Sequence, residues 1–103
     1  VNTKEFNKLL ERRLKMTRDI LSNKSQEYSR NADKLYNFKR AGELYRVSPI
    51  EALKGMKAKH DVSVIDMIEK AQNGIKPSQR LIDEKIGDSI NYLILLEALL
   101  NEL

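Results

Sequence analysis

Ser48-Pro49-Ile50-Glu51-Ala52-Leu53 opens the stretch whose reading decides the fold, and Gln72-Asn73-Gly74 closes it. Ser48 is a good N-cap, Pro49 suits the first helical position, and Glu51 stands three residues after the cap, so the three together form a capping box. Val47 is placed to staple onto Ala52 or Leu53 just inside the helix. Nothing interrupts the helical pattern until Asn73-Gly74, which supplies a left-handed stop. The resulting helix, Pro49 to about Gln72, is about 36 Å long, a full-length bundle member. Its connector, Gly74-Ile75-Lys76-Pro77-Ser78, is short enough to force an antiparallel turn into a last helix running from about Ser78 to Glu102. The expected fold is therefore an all-α bundle of about four helices, with two long antiparallel helices at the C-terminal end.

Two shorter helices are expected before this pair. From Thr3 to Leu21, the residues Phe6, Leu9, Leu10, Leu14, Thr17, Ile20 and Leu21 recur at helical spacing opposite a charged face, the pattern of a packing helix. Ser29-Arg30-Asn31 is a polar break. Asn31 is a candidate N-cap for a helix from Ala32 to about Tyr45 with an apolar stripe of Leu35, Phe38, Gly42 and Tyr45. Asp33 and Asn37 lie one turn apart beside that stripe.

The long helices carry polar groups where apolar ones are expected. In the last helix Glu84, Asp88 and Asn91 form one stripe that continues into Leu95 and Leu99, with Tyr92 close beside it. A carboxylate on a core-facing line is costly unless a cation, a proton or a donor compensates it. An ion pair inside the bundle would satisfy Asp88; so would a metal ion held by Glu84 and Asp88. In the preceding helix the apolar arc of Met56, Val64, Met67, Ile68 and Ala71 also contains His60 and Asp61, while Lys59, Ser63, Asp66 and Lys70 share another face. A lone His on such an arc is commonly a hydrogen-bonded core residue. Yet the antiparallel pairing could also bring His60 or Asp61 toward Glu84 and Asp88, and inward carboxylates on facing helices are how bundles build metal sites.

Composition narrows the classes. The 103 residues are 41% hydrophobic and 33% charged, which suits a single helical domain over residues 1–103 and not a disordered tail. No apolar run approaches the roughly 20 residues of a membrane span, and no signal peptide is visible. The absence of Cys removes disulfides and thiolate metal sites and fits a cytoplasmic protein. A net charge of +4 is mild basicity, suited to an anionic ligand such as a nucleotide and weak support for DNA or RNA. There is no Gly-rich phosphate loop, nucleophile elbow or His-Glu-Xaa-Xaa-His zinc motif. With one His and no Cys, oxygen ligands point to Mg²⁺ or Mn²⁺ if a metal is bound.

Three segments carry a family resemblance: Glu27-Tyr28 followed by Asp33-Lys34-Leu35-Tyr36-Asn37-Phe38; Pro49-Ile50-Glu51-Ala52-Leu53 with Met56-Lys57-Ala58-Lys59-His60; and Glu84-Lys85-Ile86-Gly87-Asp88 with Asn91-Tyr92-Leu93. Together they resemble small phage and bacterial proteins of the MazG-like, all-α nucleotide pyrophosphohydrolase superfamily, most closely its short phage group, a nucleotide-modification-associated domain. That resemblance implies a helical bundle that forms dimers or higher oligomers. It also implies Mg²⁺ on helix-borne carboxylates and cleavage of nucleoside triphosphates between the α and β phosphates. Glu84 and Asp88 match the superfamily's second acidic motif, which would make them metal ligands and catalytic residues, with Asp61 a further candidate ligand. Asp33, Asn37, Lys59, His60, Asn91 and Tyr92 are the candidate nucleotide contacts. Lys24, Arg30, Lys34, Lys39, Arg40, Lys59 and Lys85 are available cations, and Tyr28, Tyr36 or Phe38 could stack on a base. Lys85 stands where better-studied members carry a second acid, and Lys59-His60-Asp61-Val62-Ser63 replaces the first Glu-Xaa-Xaa-Glu motif. Two functions follow: a Mg²⁺-dependent pyrophosphohydrolase in the host cytoplasm, or a non-enzymatic protein that sequesters a nucleotide signal or binds a host protein or nucleic acid.

Overall fold

The computed structural model describes residues 1–24 and 33–103. The fold is all-α, with four α-helices and no strand among the described residues, and the second of its two units is a helical bundle. None of these helices is long and apolar enough to cross a membrane. The chain divides into two compact units, Val1–Lys34 and Leu35–Leu103. The expected Asn31 cap, Ala32, Tyr28 and Arg30 lie outside the described residues, as does the side chain of Lys24.

In the first unit α1 runs Thr3–Asp19 and continues as a single π-helical segment, Ile20–Lys24. Asn2 caps it, its Oδ1 accepting the Glu5 N–H at 2.8 Å. The sequence pattern marks α1 as a packing helix, but it holds no buried residue, and Phe6, Leu9, Leu10 and Leu14 are exposed. An amphipathic pattern identifies an apolar stripe; it does not supply what covers it.

The second unit contains α2 (Tyr36–Tyr45), α3 (Pro49–Gln72) and α4 (Gln79–Asn101). The pattern places the start of α2 at Ala32; the described helix starts at Tyr36, after a turn at Lys34 and Leu35. The Leu35 carbonyl takes the N–H groups of Phe38 and Lys39, both at 3.1 Å, so the first turn of the described helix closes on a buried Leu. Tyr45, expected on the apolar stripe, is 76% exposed, and Ala41 is buried in its stead beside Gly42. Arg46 ends α2 in the left-handed conformation (φ 58°), and the Val47 N–H returns to the Gly42 carbonyl at 2.9 Å. This is a Schellman closure made without glycine at its left-handed residue.

The caps of α3 and α4 follow the sequence. Ser48 Oγ accepts the Glu51 N–H at 3.0 Å, and Ser78 Oγ accepts the Leu81 N–H at 3.1 Å. The return half of the expected capping box is not made: the Glu51 carboxylate lies 3.8 Å from Lys54 Nζ, one turn on, instead of taking the Ser48 N–H. At the other end of α3, Gly74 takes φ 86° and the Ile75 N–H reaches the Lys70 carbonyl at 2.9 Å, the expected stop. α3 and α4 then pack together as an antiparallel hairpin, with α2 against α3.

The core sits at one end of this hairpin. Leu53 (1% exposed), Leu35, Phe38 and Leu99 form its buried centre, with Ile50, Met56, Tyr92, Leu95, Leu96 and Ala98 packed around them. Toward the α3–α4 connector only Met67, Gly87 and Asn91 are buried. The buried line of α3 thus passes through Leu53, Met56, His60, Val64 and Met67, whereas Ile68 and Ala71, expected on it, are exposed. Lys39 Nζ meets Glu102 at 2.8 Å, an exposed pair of small energetic weight.

α2 approaches the start of α3 so closely that Gly42 leaves no room for a side chain. A Cβ there would stand 2.7 Å from the Val47 carbonyl oxygen and 3.3 Å from Pro49 N. Gly42→Ala therefore gains about 1 kcal/mol of helix propensity and loses about 1–3 kcal/mol to overpacking. A fall in the denaturant midpoint is expected; an unchanged or higher midpoint would mean that this approach does not limit α2 packing.

Candidate functional site

Helical spacing decides which side chains meet across the hairpin. His60, Ser63 and Met67 succeed one another on the inner line of α3, and Asp88, Lys85 and Leu81 descend the facing line of α4 in the opposite sense. His60 Nδ1 lies 3.4 Å from Asp88 Oδ2. That is long for a hydrogen bond and becomes an ion pair only when the imidazole is protonated. The His60 ring also lies against Tyr92, with centroids 4.9 Å apart and planes at 35°, and Phe38 meets Tyr92 edge-on at 6.2 Å. A chain of rings, Phe38–Tyr92–His60, therefore ends on a carboxylate.

Burial raises the Tyr92 phenol above its ordinary 10.0, and the Asp88 charge raises it further. Both causes act on the phenolate: the first removes water from it, and the second places a like charge beside it. Asn91, one residue before Tyr92, is 8% exposed, and its Oδ1 has no hydrogen-bond partner among the described residues. A buried acceptor without a donor costs free energy.

The other predicted residues divide. Glu84 is one turn before Asp88 on α4, its side chain 51% exposed and its Oε1 3.7 Å from Lys85 Nζ. Asp61, expected on the apolar arc, points away from it: its Oδ1 is 2.7 Å from Lys57 Nζ on its own helix, and the residue is exposed. The physical reason is a single step of helical phase. His60 occupies the inner line, which turns the next residue about 100° toward solvent. Lys59 is exposed on α3 and Asn37 on the first turn of α2, while Asp33 falls in the first unit. Among the described residues no three His, Cys, Asp or Glu side chains are grouped closely enough to share a metal ion.

One feature is absent from the sequence-predicted set. A cleft of about 170 Å³ opens in the same groove, lined by Ser63, Asp66, Met67, Lys70, Leu81 and Lys85. Its signal is present in the sequence, since Ser63, Asp66 and Lys70 share a helical face; the partner residues on α4 become evident only from the register of the hairpin.

No protein-family model, curated protein or solved structure matches this chain.

The Tyr92 environment has a measurable consequence. A phenol raised in the folded state contributes stability that is present below its unfolded value near 10 and is lost as pH rises through the folded value. Ultraviolet titration should find Tyr92 ionising above 10.0, and Asp88→Asn should lower it part of the way back, leaving the contribution of burial. If Asp88→Asn leaves the Tyr92 titration in place, the carboxylate does not act on the ring in solution.

Proposed function

We propose that the chain binds a phosphorylated nucleotide in the α3–α4 groove and that Glu84 and Asp88 form the acidic side of a MazG-like pyrophosphohydrolase site. The observation that carries this reading is the convergence of His60 with Asp88 and Tyr92 across the hairpin. It joins an anionic group, an imidazole and an aromatic ring at one place, where a purely packing interface would favour apolar contacts. The Tyr92 and His60 rings supply surface to a base.

Glu84 and Asp88 would hold the divalent ion. Two carboxylates make no closed cage, but Mg²⁺ commonly takes one or two carboxylates and completes its shell with water and substrate phosphates. Bound there, Mg²⁺ or Mn²⁺ would neutralise charge on the phosphates as it shifts toward the leaving pyrophosphate. The chain's own contribution is to keep Asp88 half-buried beside His60, so that its charge interacts more strongly than a fully hydrated carboxylate would. A second reading, nucleotide binding without turnover, is favoured by the missing third ligand, since Asp61 is engaged by Lys57. In that reading the protein sequesters a nucleotide signal, or acts on a host protein.

Self-association belongs to the same proposal. Val62, Ile65 and Ile68 on α3 and Leu93, Ile94 and Leu100 on α4 are exposed, and the connector half of the hairpin has no third helix of its own unit to cover it. A second copy related by a two-fold axis would bury both stripes. Sedimentation at tens of micromolar should give a dimer or larger species; a monomer would contradict this assignment.

The enzymatic reading is tested by screening nucleotides with Mg²⁺ or Mn²⁺ for thermal shift and for phosphate products, since binding stabilises the fold even without turnover. Asp88→Asn discriminates further. Relief of like-charge repulsion at i,i+4 is worth about 0.2–0.5 kcal/mol, so in chelator the variant should melt at or slightly above the parent temperature and lose any metal-induced shift and any turnover. A markedly destabilised variant, with no metal response in the parent, would leave Asp88 as a structural partner of His60 and end the metal-site proposal.

A further inference from the structure

The groove is ordered along its length. From Tyr92 through Asp88 and Lys85 to Leu81, α4 covers about 16 Å of helix axis, while α3 passes from His60 through Ser63 and Met67 to Lys70 in the opposite direction. The rings stand at one end, Asp88 follows one turn on, and the 170 Å³ cleft with its two lysines stands at the other, with Glu84, next to Lys85, at the level of the cleft. The cleft begins one helical turn beyond His60 and Asp88 on each helix, about 4.5–5.4 Å along the axis.

From this order we infer that the cleft between Lys70 and Lys85 receives the phosphate chain of a nucleoside di- or triphosphate whose base lies toward Tyr92 and His60. The inference rests on the nucleotide-binding reading and adds to it a phosphate subsite and a direction. Lys85 is largely covered, its side chain 24% exposed, and its Nζ lies 3.7 Å from Glu84 Oε1 beside the cleft that it lines. Lys70 reaches the cleft from the facing helix, so the two cations approach a ligand from opposite sides. Two ammoniums on facing helices suit an extended polyanion better than a single carboxylate, because each can take a different phosphate. Asp66 also lines the cleft, leaving one positive charge in excess among the groups that line it, and Glu84 beside Lys85 offsets that excess. A bare anion gains little from such a lining, whereas a phosphate chain accompanied by a divalent ion finds partners of both signs. The volume is that of a phosphate or two and not of a peptide or a nucleic-acid strand.

Calorimetry on the full chain with Mg²⁺ tests this, using a nucleoside, its mono-, di- and triphosphate, and inorganic pyrophosphate. The variants are Lys70→Gln, Lys85→Gln and the double change, with Lys54→Gln as a control because Lys54 lines no part of the cleft. Parent affinity should rise with each added phosphate. Each single change should weaken triphosphate binding about tenfold, the loss of one charge-assisted contact, while nucleoside binding stays unchanged. Pyrophosphate binding should disappear in the double variant, with melting temperature preserved. If the double variant binds triphosphate as tightly as the parent, the subsite is overturned and nucleotide binding stands. If pyrophosphate binds in a lysine-dependent manner but no nucleotide does, the subsite stands and the nucleotide reading fails. A parent that binds neither overturns both.

Discussion

The register of α3 against α4 is the constraint on which every polar feature of the second unit depends. His60 meets Asp88, and Ser63 shares a cleft with Lys85, only because the helices pair antiparallel at one offset. A slip of one turn, about 5.4 Å, would bring His60 to the level of Glu84 or Tyr92 and separate the lysines. Three features near the ends oppose such a slip. Leu53 and Leu99 interlock in the core, Gly42 admits α2 against the Val47 carbonyl, and a connector of a few residues limits how far Gly74 and Ser78 can separate. None of these residues belongs to the candidate site, yet all of them set its geometry.

A polar interior exerts its own discipline on that register. At the core end, apolar contacts around Leu53 are largely insensitive to small rotations, because dispersion forces are weakly directional. His60, Asp88 and Asn91 are different: each has a small number of directions in which its requirements can be met. The His60–Asp88 contact is only partly satisfied at 3.4 Å, and Asn91 Oδ1 is not satisfied at all among the described residues. Both lie beside Tyr92, whose phenol is raised by the same burial and the same carboxylate. Within the second unit, unmet polar demand is concentrated at one level of one groove. Natural sequences tend to break local rules where function requires it, and this level is where the present chain breaks them.

The sequence made the helix ends of the hairpin legible because caps are local chemistry. Ser48-Pro49, Ser78 and Asn73-Gly74 each act within a few residues, and each does in the fold what its spacing suggests. The end of α2 at Tyr45 is also legible, but its left-handed closure at Arg46 is not, since nothing in an Arg side chain announces a positive φ. Facing was harder to read than boundaries. Asp61 lies on the arc that Ile68 and Ala71 define, and that arc is rotated from the buried line through Leu53, His60 and Met67. Exposed Val62, Ile65 and Ile68 explain the error: apolar residues on more than one side of α3 widen the apparent arc until it includes a solvent carboxylate. His60 and Asp88 were legible as anomalies, whereas the Lys70–Lys85 cleft needs two helices in register and cannot be seen in either alone.

The uneven thickness of the unit links these points. Near Leu53 three helices share one core, and opening that end would expose most of what holds the unit together. Toward Gly74 two helices bury little more than Met67 and Gly87. Local opening free energy should therefore fall along the hairpin, from near the global value at Leu53 to a small fraction of it at the connector. The candidate site lies across this gradient, with Tyr92 packed against the core and the lysine-lined cleft in the thin half. A ligand spanning both would be anchored by rings that hardly move and would tie down helices that otherwise separate readily. The free energy of ordering the thin half would then be drawn from phosphate contacts, so affinity and rigidity of that half should rise together. A second copy packed on the exposed stripes would act on the same gradient from outside, and by linkage would strengthen the binding of any ligand that requires the ordered hairpin.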